Sequence, residues 1–133
     1  MKLSHVTIVA NGLKSESERL AGEIETFLGE RGIRNKTIMT YQSSAGMEIP
    51  YETDLVISLG GDGTVLSVAR KVHELGRLIL PVNLGTFGYI TEISKDEWRE
   101  ELENLMDGKS VISRRLMLRV AIERKGRRIF SMH

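Results

Sequence analysis

Gly60-Gly61-Asp62-Gly63-Thr64 is the densest chemical signal in the chain. It follows the most apolar run, Leu55 to Leu59, and opens a stretch of helical spacing. Glycine lets a ligand approach the backbone closely, and a helix start offers free N–H groups and a positive dipole end to an anion. The glycines therefore point to phosphate. Asp62 points elsewhere, because a carboxylate repels a phosphate unless a metal or a hydroxyl stands between them. Its expected task is to address a substrate hydroxyl, as base or orienting group, or a Mg²⁺ ion. The plain alternative is a turn in which Asp62 caps the helix.

A second segment, Asn83-Leu84-Gly85-Thr86-Phe87-Gly88-Tyr89-Ile90-Thr91-Glu92, follows the apolar run Leu78 to Val82. Phe87 or Tyr89 could stack on a planar base, and Asn83 and Thr91 could bond to sugar or phosphate. Alone, such a segment also reads as a turn with core aromatics. Two familiar phosphate loops are excluded. No G-x-x-x-x-G-K-[ST] occurs, and Leu66 stands where a dinucleotide fingerprint needs its third glycine. Leu80-Pro81-Val82 occupies the region where that fingerprint expects an acidic residue. His5, His73 and His133 show no metal-ligand spacing. Cysteine is absent, which removes disulfides and thiolate chemistry and fits a reducing compartment.

The elements that must position these residues follow from periodicity. Val6 to Ala10 reads as a β-strand ending at the Asn11-Gly12 turn. Ser15 and Glu18 offer a capping box, Leu20, Ile24, Phe27 and Leu28 recur at helical spacing, and Gly32 marks the stop. Thr37 to Thr40 is a short second strand, and Tyr41 to Thr53 a polar loop. Leu55 to Leu59 suits a strand buried on both faces of a parallel sheet. Thr64 to Leu75 is helical and closed by Gly76; Leu78 to Val82 is the next strand. Ser94 and Glu97 form a second capping box before a helix from Trp98 to Gly108. This order predicts an α/β fold, a doubly wound, mostly parallel sheet. Both glycine-containing segments then lie at the carboxyl edge of that sheet, facing one crevice. After Arg114 the pattern alternates, breaks at Arg124-Lys125-Gly126 and resumes from Arg127 to Met132. That predicts an antiparallel β-hairpin, the start of a second, β-rich unit that the chain truncates.

Length and composition bound the rest. The chain has 133 residues, enough for one domain or one domain plus the start of another. Apolar residues make up 41% and charged residues 28%, a globular balance. Lys plus Arg is 19 and Asp plus Glu is 18, so bulk charge supports neither nucleic-acid nor anionic-membrane binding. No apolar run approaches the ~18 residues of a membrane span, and the N-terminus reads as a strand, not a signal peptide. The expectation is a cytoplasmic domain with no membrane and no nucleic-acid partner.

The two glycine-containing segments, their spacing and the Arg114-Arg115-Leu116-Met117-Leu118 entry into the hairpin resemble the NAD kinase family over roughly residues 54–123. The first motif is shared with diacylglycerol and sphingosine kinases and, more distantly, phosphofructokinases. The asparagine-led second segment is the specific one. The resemblance implies an N-terminal α/β nucleotide-binding domain over 1–113 and the truncated start of a β-rich domain over 114–133. It implies phosphorylation of the 2′-hydroxyl of the adenosine ribose of NAD by ATP or polyphosphate, with Mg²⁺ on the donor phosphates. Asp62 then matches the proton acceptor, and Gly61, Gly63 and Thr64 the phosphate and dinucleotide loop. Tyr89 matches an aromatic residue against the adenine region, Asn83 and Gly85 shape the same pocket, and Thr91 belongs to the same binding segment. Members of the family are usually homo-oligomers. The chain ends before the family's Asn-Glu or Asn-Asp motif, so the expectation is an N-terminal part whose isolated activity is open. Two rivals stand beside this: a lipid kinase, and a non-catalytic nucleotide-binding regulatory domain. The charge balance and the Asn83–Glu92 segment argue against the first, Asp62 against the second.

Overall fold

The structure is a computed structural model that describes residues 2–41, 47–85, 88, 90, 91, 93–110, 120–124 and 127–132, the last two segments as backbone. Strand β1 (His5–Asn11), helix α1 (Ser17–Glu30), β2 (Arg34–Thr40), β3 (Leu55–Gly60), α2 (Asp62–Val72), β4 (Leu78–Asn83), β5 (Ile93–Ser94) and α3 (Trp98–Met106) follow in that order. A 3₁₀ turn, His73–Leu75, extends α2. Five strands form one sheet, all parallel, in the order β2-β1-β3-β4-β5.

Burial explains the sequence pattern. Every residue of β3 is buried, as a continuous apolar run in a parallel sheet requires. Leu55, Ile57 and Leu59 pack on one face with Leu20, Ile24, Phe27 and Leu28 of α1 and Trp98, Leu102 and Leu105 of α3. Val9 and Val56 face the other way, onto Val68 and Val72 of α2 and onto Met47. Each such fully buried side chain contributes about 1.5–3 kcal/mol of transfer free energy. The sheet is thus covered on both faces. The β1–α1–β2 and β3–α2–β4 crossovers run in opposite directions over opposite faces, so they share one hand. Strand order reverses between β1 and β3, and open α/β sheets bind ligands beyond the carboxyl ends of strands at that reversal.

The helix boundaries differ in detail from the sequence expectation. The Ser15–Glu18 capping box does not form. Helix α1 begins at Ser17 without a side-chain cap, the Ser17 hydroxyl donates to the Lys14 carbonyl at 2.9 Å, and the carboxylate of Glu16 is drawn to Lys95 Nζ at 2.6 Å. The helix thus starts one residue later than the box would place it, with Glu16 at the N-cap position. Half of the second box forms: the Ser94 N–H donates to the Glu97 carboxylate at 3.0 Å, and α3 starts at Trp98. The three expected helix-ending glycines, Gly32, Gly76 and Gly108, all take positive φ. Strand β2 starts three residues before Thr37; its first half is exposed and polar, so no apolar alternation announced it.

Strands β6 (Val120–Arg124) and β7 (Arg127–Met132) pair antiparallel, with a register shift between Ile122 and Glu123. The expected hairpin is therefore present. The domain boundary at 113/114 and the Arg114–Leu118 entry lie outside the described residues.

Candidate functional site

Strand register brings the two glycine-containing segments together. Gly60, the last residue of β3, lies opposite Asn83, the last of β4, and the Leu84 N–H donates to the Gly60 carbonyl at 3.0 Å. Asn11 ends β1 on the other side of Gly60. A Cβ at Gly60 would collide with the Thr64 side chain and come within 3.2 Å of Asn11 Cβ. Gly60 is therefore needed for packing where β1, β3 and the first turn of α2 meet.

Helix α2 starts two residues earlier than its apolar spacing suggested. Gly61, in extended backbone, takes the N-cap position, and Asp62 is the first helical residue. The helix is closed by the Thr64 and Val65 N–H groups, which donate to the Gly61 carbonyl at 3.1 and 3.3 Å. The N-cap residue, Gly61, has no side chain to cap the helix. The Asp62 carboxylate crosses to the second segment. Asp62 Oδ1 accepts hydrogen bonds from the Ile90 N–H, the Thr91 N–H and the Thr91 hydroxyl, each at 3.1 Å. Gly88 lies directly over that carboxylate, and a Cβ there would overlap it.

Behind this contact sits a buried polar relay. Asn83 Oδ1 accepts from the Gly85 N–H at 2.6 Å, which fixes the amide orientation. Asn83 Nδ2 then donates to Thr91 Oγ1 at 2.7 Å, and the Gly88 N–H approaches the same oxygen at 3.4 Å. Asn83 and Thr91 are both buried. Buried polar groups tied in this way hold one geometry, because breaking any link leaves a desolvated donor or acceptor behind.

Of the residues that the sequence singled out, Gly61, Asp62, Gly63, Thr64, Asn83, Gly85 and Thr91 all fall at one sheet edge. Asp62, Asn83, Gly85 and Thr91 are joined by hydrogen bonds. Tyr89 lies outside the described residues. Two participants were not singled out: Gly88, which covers the Asp62 carboxylate, and Ile90, which contributes a backbone N–H. Gly88 was visible as the second glycine before an aromatic residue; the Ile90 contact spans 28 positions and leaves no local signal. Lys14, from the turn after β1, reaches the same edge, with Nζ 3.9 Å from the Cβ position of Gly85. Gly61 and Gly63 differ from Gly60 and Gly88. Among the described residues, a Cβ at either would meet nothing within 4 Å, and neither takes a positive φ.

A two-sided parallel sheet with a glycine turn, a helix start and a fixed carboxylate beyond the carboxyl ends of its strands defines a parallel α/β domain of the class that binds ligands at that edge. The ATP-NAD kinase N-terminal domain matches residues 34–110, and the chain belongs to that family. Among curated relatives, the NAD kinase of Syntrophobacter fumaroxidans is 38% identical over 97% of this chain and 48% of its own length. That of Treponema denticola is 38% identical over 96% of this chain and 45% of its own length. The NAD kinase of Geotalea daltonii is 48% identical over 62% of this chain. The chain thus spans about half the length of the curated relatives it matches most fully. A lactose-specific IIB phosphotransferase component from Streptococcus pneumoniae overlays 77% of the chain at 21% identity and a TM-score of 0.40, too distant to bear on the site.

Proposed function

We propose that the protein containing this chain transfers the terminal phosphoryl group of ATP, or of polyphosphate, to the 2′-hydroxyl of the adenosine ribose of NAD, giving NADP. One observation carries this reading: an immobilised carboxylate stands between two glycines that packing does not require. A glycine inside a helix costs about 0.5–1 kcal/mol relative to alanine. At Gly63 neither packing among the described residues nor φ accounts for that cost, and the glycine sits at the start of α2 beside Asp62, where a ligand can approach the backbone. Phosphate there meets backbone N–H groups and the positive end of α2.

Asp62 accepts a hydrogen bond from the ribose hydroxyl and aims its oxygen at the donor phosphorus. The oxygen attacks, the bond from that phosphorus to the bridging oxygen breaks, and its electron pair leaves with ADP or with the shortened polyphosphate. The hydroxyl proton passes to the carboxylate and then to water. A carboxylate is a weak base at neutral pH, so Asp62 acts first by orientation and takes the proton late. Gly61, Gly63 and Thr64 cradle phosphate, Asn83 and Gly85 shape the dinucleotide pocket, and Tyr89 packs against the adenine. Mg²⁺ on the donor phosphates would neutralise charge there. Asp62 is the described carboxylate that such an ion would meet. No described helix is long and apolar enough to cross a membrane. A cytoplasmic homo-oligomer is part of the same reading, and the outer edge of β2 offers a further pairing surface.

The test is NADP formation from NAD, ATP and Mg²⁺ by the whole protein, with Asp62→Asn as control. NADP from the wild type and none from the variant supports the reading. NAD binding with no NADP points to a regulatory domain, and absence of NAD binding to another kinase acceptor.

A further inference from the structure

We propose that Thr91 is a positioning residue for phosphoryl transfer, its hydroxyl directed by Asn83 to hold the Asp62 carboxylate at the angle that receives the substrate hydroxyl. This rests on the role given to Asp62 above and adds a residue that acts through its carboxylate. The argument is one of donors and acceptors. The Gly85 N–H occupies Asn83 Oδ1, so the Asn83 amide turns its NH₂ toward Thr91. That donor fills a lone pair of Thr91 Oγ1. A threonine hydroxyl has one proton, and here it is left to point at Asp62 Oδ1, 3.1 Å away. The backbone N–H groups of Ile90 and Thr91 reach the same oxygen. They would persist in any side-chain variant at position 91; the hydroxyl is the one link there that a substitution can remove. Thr91 is fully buried, so its hydroxyl is held within the fold rather than presented to a ligand.

The experiment compares Thr91→Ser and Thr91→Val in the whole protein, with Asp62→Asn alone and combined with Thr91→Val. Valine keeps the shape and removes the oxygen; serine keeps the oxygen and removes a methyl. The expected result is a kcat about 10-fold or more lower in Thr91→Val, the scale of a lost hydrogen bond to a charged group, with KM for NAD little changed. Thr91→Ser restores kcat to near wild type. In the Asp62→Asn background Thr91→Val costs nothing further, because the two act as one unit. If the valine variant fails to fold, Thr91→Ala against Thr91→Ser isolates the same oxygen. Equal loss in the serine and valine variants, or a wild-type kcat in Thr91→Val beside a dead Asp62→Asn, overturns this inference alone. A wild-type turnover in Asp62→Asn overturns the reading of Asp62 and this inference with it.

Discussion

Strand β3 is bracketed by two aspartates, and the molecule uses each in a similar way. At the amino end, Asp54 Oδ2 accepts the consecutive N–H groups of Ser4 and His5 at 2.7 and 3.0 Å. At the carboxyl end, Asp62 Oδ1 accepts the consecutive N–H groups of Ile90 and Thr91. Both carboxylates fasten a distant segment to the sheet. The surroundings differ. Asp54 stands at the edge that carries a shallow cavity of about 160 Å³, lined by His5, Thr7, Arg34, Lys36, Glu52 and Thr53 among others. No strand order reverses onto a helix start there, and the buried hydroxyls of Thr7 and Thr53 bond to each other at 2.7 Å. Asp62 has open glycine backbone beside it, a helix start beneath it and a hydroxyl aimed at it. The contrast teaches that a pinned carboxylate is not itself a site. The proposed site differs from the Asp54 edge in the glycine backbone beside the carboxylate.

That contrast can be broken in graded ways. The largest effect belongs to Asp62→Asn. Turnover should fall by about 10²–10⁴-fold, the usual share of a positioned acid–base group, while NAD binding survives. Next is Gly88→Ala. The new methyl overlaps the Asp62 carboxylate, so the second segment must shift, and both turnover and melting temperature should drop. An unchanged melting temperature would show that the segment yields without cost. Gly63→Ala separates ligand from packing. It should leave stability equal or raise it by up to about 1 kcal/mol, the helix preference for alanine, yet weaken nucleotide affinity in a calorimetric titration. Unaltered affinity would remove the phosphate-loop role.

The smallest effect belongs to Asp54→Asn. The Ser4 N–H foremost, then the His5 N–H and the nearby charges of His5 and Arg77, hold the Asp54 carboxyl below its ordinary value against the opposing effect of burial. A carboxyl lowered on folding stabilises above its unfolded value of about 3.9, and that contribution disappears as pH falls through the folded value. The group is largely solvated, so screening limits the loss at pH 7 to about 1 kcal/mol or less. Urea melts of the variant and the wild type should differ at pH 7 and converge as the pH falls through the lowered folded value. A gap that persists in acid would assign the effect to packing instead.

Much of this was legible in the sequence because the governing signals are local. The apolar run of β3 marked a strand buried on two faces, the stops at Gly32 and Gly108 marked helix ends, and the glycines around Asp62 marked the turn from β3 into α2. What was not legible lies across the chain. The link between Asp62 and Thr91 spans 29 positions and depends on the register that sets Gly60 against Asn83. The ion pair between Lys95 and Glu16, 79 positions apart, is equally invisible to local pattern. Exposure hid the first half of β2, where Arg34, Asn35 and Lys36 show no apolar face.

The two aspartates also supply the most direct test of the account. Initial rates of NADP formation by the whole protein, measured for Asp62→Asn and Asp54→Asn side by side at neutral pH, put one pinned carboxylate against the other. The account predicts wild-type turnover with Asp54→Asn and a loss of at least about 100-fold with Asp62→Asn. Comparable rates in the two variants would contradict it.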